Sequence, residues 1–244
     1  MLFYAKTEAL RMLRNRRYIV FVVIFPVVLY LINANIYGKQ TDGGGLRYSV
    51  VLMVSMGAYG ALASSMMSSA VPWATERQSG WLRQLQITPL PSWMIIATKL
   101  GTAMLLVLPS LLLVAVVGVV QQGVSMPAGQ WVPLLLAMWL GTIPFIALGL
   151  AIGSLLSADA AQPAAMISMF ALAIAGGLWF PPEMFGDTMK TVADVMPSYH
   201  YASLGWSIVA GDGVAMTDVL VVAGWAVVLG GAAAYLYRRA TVRA

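Results

Sequence analysis

The residues that could do chemistry in this chain are few. The sole histidine, His200, lies near Asp194, Ser198 and Ser203, and a hydrolytic constellation can be drawn from them. Nothing that ordinarily makes such a set work accompanies it. There is no H-E-x-x-H pair for a metal, no nucleophile elbow and no paired membrane aspartate. A histidine between Tyr199 and Tyr201 reads more simply as part of an aromatic belt at a membrane surface. With Cys 0, thiol chemistry, disulfides and cysteine-ligated metal sites are excluded. No G-x-x-x-x-G-K-[ST] loop is present, so the chain does not cradle nucleotide phosphates in that way. Catalysis is therefore not the expectation; the chain is not read as an enzyme.

What must position any functional residue is set by composition. Of 244 residues, 60% are hydrophobic and 9% charged, against roughly 25% charged in a soluble domain. Lipid is the solvent that such a surface requires. Charge and histidine are missing from 18–38, 48–75, 100–158, 160–182 and 219–237. A crossing takes about 20 apolar residues, and the third run is long enough for two, joined by a turn at Gln121, Gln122, Gly123 and Pro127. The expectation is an all-α membrane protein with six transmembrane helices, near 18–37, 48–72, 96–120, 129–156, 160–180 and 216–237. Pro26, Pro109 and Pro144 fall inside these spans as candidate kinks.

Charge sets the orientation. With the N-terminus inside, every Lys and Arg except Lys39, Arg47 and Lys190 falls on an inner segment, a firm positive-inside bias. Six spans then place both basic termini in the cytoplasm, and the expected location is the cell (plasma) membrane. The net charge of +5 is explained by this distribution, so no nucleic acid is expected as a partner. Residues 1–35 do not read as a cleaved leader, because the apolar stretch is span-length and no small-residue cleavage site follows.

Three segments are not spans. In 2–15, Leu2, Ala5, Ala9, Met12 and Leu13 share a helical face, with Lys6, Thr7, Arg11 and Arg14 on others, as in an interfacial helix. In the inner stretch 73–93, Pro72 is expected to close the second span. Thr75 then caps a short helix with Gln78 at the capping-box position, and Pro89 and Pro91 end it. The outer stretch 181–213 is expected to hold one or two short helices, with Met196-Pro197 marking a boundary.

With these elements in place, the whole chain resembles a type-2 permease subunit of an ATP-binding-cassette (ABC) exporter. The most specific piece is Glu76-Arg77-Gln78-Ser79-Gly80-Trp81-Leu82-Arg83-Gln84-Leu85, followed by Thr88-Pro89-Leu90. Glu76, Gly80, Leu82, Leu85 and Pro89 match the family's coupling helix; Trp81 and Arg83 depart from it. The resemblance implies an elbow helix at 2–16 and a coupling helix at 75–88, with Glu76, Arg77, Gly80, Leu82, Leu85 and Pro89 at the ATPase. It likewise implies an outer re-entrant segment at 181–213, carried by Pro181, Pro182, Pro197 and His200. Two ABC ATPase subunits, a second permease copy or paralogue, and the lipid bilayer are the implied partners. No cofactor is expected on this chain, ATP and Mg belonging to the ATPase.

The cargo expectation comes from the spans. None carries a central ionisable residue of the kind that marks an ion route. Gly57, Gly60, Ser64 and Ser68 form a small, weakly polar face on the second span, and Met166 and Met169 lie on the fifth. Methionine surfaces adapt to varied apolar shapes, which suits a hydrophobic or amphipathic cargo: a drug, an antibiotic or a lipid. Small faces also let helices pack closely, and methionine also fills gaps. An ion-coupled secondary transporter, which needs a mid-membrane carboxylate or broken helix, and a non-transporting sensory or assembly subunit are the alternatives.

Overall fold

The structure is a computed structural model that describes residues 18–41, 46–81, 92–180, 182 and 185–242. Among the described residues all regular structure is helical, apart from a lone bridge between Thr41 and Arg47. A π-helical turn, Ile19–Ile24, leads into α1 (Phe25–Tyr37); then come α2 (Tyr48–Gln78), α3 (Ser92–Gln122), α4 (Ala128–Leu140) and α5 (Ile143–Leu155). The chain continues with α6 (Ala158–Ala175), α7 (Asp187–Ala193), α8 (Pro197–Ala210) and α9 (Met216–Val242). Counting the π-turn with α1, and α4 with α5, 6 helices are long and apolar enough to cross a membrane. The protein is a multi-pass, all-α membrane protein.

α2 is the centre of the bundle. Of its apolar window 89% is buried, against 11% for α9. Its sequence explains this, because Gly, Ala and Ser let neighbouring backbones approach from several sides. On α5, Gly149 and Gly153 form a G-x-x-x-G pair against this helix. A Cβ at Gly149 would collide with Ser69 Oγ, and one at Gly153 with the Ala70 carbonyl. On another side Gly60 faces α3 and α1, where a Cβ would collide with Ser110 Oγ. Serines in the middle of α2 turn their hydroxyls back onto their own helix: Ser65 donates to Ala61 O at 2.7 Å and Ser69 to Ser65 O at 2.6 Å.

Near prolines in three spans, side chains from elsewhere in the bundle donate to backbone carbonyls. Pro26 has no N–H to give Val22 O, and Ser110 Oγ of α3 donates there instead at 2.8 Å. Close to Pro109, Leu106 O receives Ser64 Oγ at 2.8 Å and Tyr18 OH at 3.0 Å. Ahead of Pro144 the fourth span breaks at Gly141 and Thr142. There Thr142 N turns to Trp139 O, and the Met138 carbonyl so released accepts Tyr201 OH at 2.7 Å. Irregular backbone at such depth is tolerated only when covered in this way.

Two expected boundaries move. Pro72 does not close the second span: α2 runs through it to Gln78, and ends at Ser79 and Gly80, whose φ is +74°. The tight burial of Trp73 and Ala74 holds the helix across the proline. Thr75 accordingly caps nothing; its hydroxyl bonds back to Val71 O at 2.9 Å. The fifth span ends at Ala175 rather than 180, because Gly177 (φ +70°) turns the chain and Leu178 N bonds Ala173 O at 3.0 Å. The elbow segment 2–16 and Leu82, Leu85, Pro89 and Pro181 lie outside the described residues.

Candidate functional site: two polar clusters joined by α2

At the Gln78 end, three consecutive side chains reach three different parts of the bundle. Glu76 Oε1 meets Lys99 Nζ of α3 at 2.5 Å. The Arg77 guanidinium donates to Leu156 O, in the turn between α5 and α6, at 2.7 Å. Gln78 Oε1 accepts the Ala158 amide, the first of α6, at 3.1 Å. One turn earlier, Trp73 donates to Ser154 Oγ of α5 at 2.8 Å, and its ring lies 5.5 Å from that of Tyr237 on α9. Amides that open a helix and carbonyls that close one lack partners within it, and this stretch of α2 supplies them. Gly80 lies just beyond, and among the described residues nothing stands where its side chain would be.

Lys99 was not legible as a partner. It is buried, at 5% exposure, although a lysine seven residues into α3 reads as an interfacial charge on sequence grounds. The available signal is that it stands immediately before the uncharged run that starts at Leu100.

In the middle of the bundle, Gly57, Gly60 and Ser64 turn towards α3 and α1. Gly57 approaches Leu111 and Gly60 approaches Ser110 and Pro26, while Ser64 bonds Leu106 O and Tyr18 OH. Ser68 is buried and donates weakly to Ser65 O at 3.4 Å. On α6, Met169 is buried in the core and Met166 is half-buried. The small face thus serves close helix packing in this conformation.

At the opposite end His200 is not a belt residue. It is buried at 8% exposure, with Nδ1 2.6 Å from Asp218 Oδ1 of α9 and Nε2 2.8 Å from the Asp194 carbonyl. A carbonyl only accepts, so Nε2 donates to Asp194 O. With both ring nitrogens engaged, the hydrolytic constellation does not form; Asp194 contributes its backbone, not its carboxylate. Trp225 of α9 donates to the next carbonyl, Val195 O, at 3.0 Å. Pro197 is buried at the start of α8, and Pro182 packs close to Gly177. Asp218 was missed because it reads as an ordinary first-turn acid of a span.

A bundle of six membrane-spanning helices with a polar cluster at either end and an uncharged middle defines a multi-pass integral membrane protein. Residues 44–235 match the ABC-2 family transporter protein description, and the chain belongs to that family as a type-2 ABC permease. Over 215 residues, 88% of this chain and 87% of the relative, it is 27% identical to a Bacillus subtilis (strain 168) protein whose name reads "Putative transport permease YvfS".

Proposed function

We propose that this permease is the membrane half of an ATP-driven exporter for a hydrophobic or amphipathic compound. A separate ABC ATPase supplies the energy, in a complex with two ATPase subunits and a second permease. The observation that carries the reading is the course of α2. The central helix runs without a break from the packed interior to Glu76–Gln78, so a push at that end reaches the core directly. In this reading the Gln78 end faces the cytoplasm, and the ATPase engages the segment that begins at Gly80 and includes Leu82, Leu85 and Pro89. ATP-driven closure of the ATPases then moves the spans as rigid bodies and opens an outward path. Met166, half-buried on α6, and Met169 beneath it are the residues of choice for lining that path, because Gly57, Gly60 and Ser64 are occupied in packing.

The test is reconstitution of the permease with an ABC ATPase that co-purifies with it, followed by a screen of apolar drugs and lipids for stimulated ATP hydrolysis. Leu82→Asp with Leu85→Asp is expected to abolish co-purification of the ATPase. Full retention of the ATPase and of its stimulation by that variant would remove this segment from the mechanism.

A further inference from the structure

We infer that Glu76, Arg77 and Gln78 work within the chain, as a joint that makes α3 and the α5–α6 turn move with the end of α2. The inference rests on the reading of the segment after Gly80 as the ATPase contact, and it gives the preceding polar residues a different task from docking. Glu76 and Lys99 are exposed by only 17% and 4% at their side chains, unlike groups that await a soluble partner. The contacts at Lys99 Nζ (2.5 Å), Leu156 O (2.7 Å) and the Ala158 amide (3.1 Å) come from one helical turn and diverge to separate elements. Two of them involve an ionised group, which makes them short and strong, and two reach backbone at helix ends that otherwise lacks a partner. A displacement delivered at Gly80 therefore cannot move α2 alone without breaking all three. It moves spans two to five as one block. Lys99 is a positioning residue in this account, acting through Glu76.

The experiment uses the full chain with its ATPase in nanodiscs. Since the sequence has Cys 0, Asp212→Cys, exposed between α8 and α9, gives a unique probe site at the far end. Its labelling by a charged maleimide is compared with and without ATP plus vanadate, alongside the amount of ATPase co-purified. Lys99→Glu is expected to reduce the nucleotide-dependent change about fivefold or more, the lower range of ordinary coupling between sites, with co-purification unchanged. Adding Glu76→Lys, which restores opposite charges in reversed order, is expected to recover the change to within about twofold. Should Lys99→Glu not survive purification, Lys99→Met, which keeps the stem and drops the charge, is expected to lose the response in the same way. An undiminished response in these Lys99 variants overturns the joint. So does a loss of co-purification that the reversed pair does not repair, since that outcome makes Glu76 a docking contact. If the parent complex neither retains the ATPase nor responds to nucleotide, the underlying reading fails and the joint falls with it.

Discussion

His200 holds a carbonyl with one ring nitrogen and a carboxylate with the other, and this arrangement ties α8 to α9 through a buried ionisable pair. Taking such groups out of water is costly, and the two short contacts of the ring offset that cost. Removing one partner is then worse than removing both. His200→Ala is expected to destabilise the protein by about 3–5 kcal/mol, because Asp218 is left buried and unpaired. The double change His200→Phe with Asp218→Leu is expected to recover most of that loss. Thermal aggregation in mild detergent, followed by size-exclusion, measures both; equal losses from the single and double variants would show that the pair is not what secures α8. Tyr201, the next residue, is wholly buried, and burial pushes its hydroxyl pKa well up. It stays protonated and keeps donating to Met138 O.

Among elements, α2 and its neighbours show how small residues and freed carbonyls divide the labour of packing. The Gly149–Gly153 pair lets α5 touch α2 backbone to backbone, the contact on which membrane helices rely when no hydrophobic effect drives them together. Gly149→Leu is expected to separate the two helices and lower the yield of folded protein severalfold, read by fluorescence-detected size-exclusion. Gly224, with open space around it among the described residues, is the control position and is expected to tolerate the same change. Ser110 stands for the second device. Ser110→Ala leaves the Val22 carbonyl without its donor, an expected loss of about 1–3 kcal/mol; Ser110→Thr, which keeps a hydroxyl, is expected to retain part of it. Legibility differs among these elements for a physical reason. The uncharged runs announce helices, and their ends fall near charges. Pro72 misleads because a proline's effect depends on whether neighbours hold the helix on either side, and no local pattern records that.

For the whole molecule, exposure grades from the centre outward. Leu220, Val227 and Val228 on α9 are exposed at 65%, 74% and 63%, whereas α2 is almost wholly enclosed. A photoactivatable lipid in reconstituted bilayers is therefore expected to label α9 heavily and α2 hardly at all. Heavy labelling of α2 would mean that the bundle opens far wider than this conformation. Enclosure of the central helix also fits a subunit that relays force through its core rather than along its rim.

The amino-acid sequence alone determined that this chain lives in lipid, crosses it six times and is helical throughout the crossings. Those properties follow from the sum of transfer free energies along each stretch, and a sum does not depend on which residue faces which. Pairing does. That Glu76 meets Lys99, that His200 meets Asp218 and that Ser110 meets the carbonyl released by Pro26 are matters of rotation and depth between helices distant in sequence. Hydropathy is nearly indifferent to those variables. Only the packed tertiary structure, in which backbone groups left open at membrane depth need partners where water is absent, decided them.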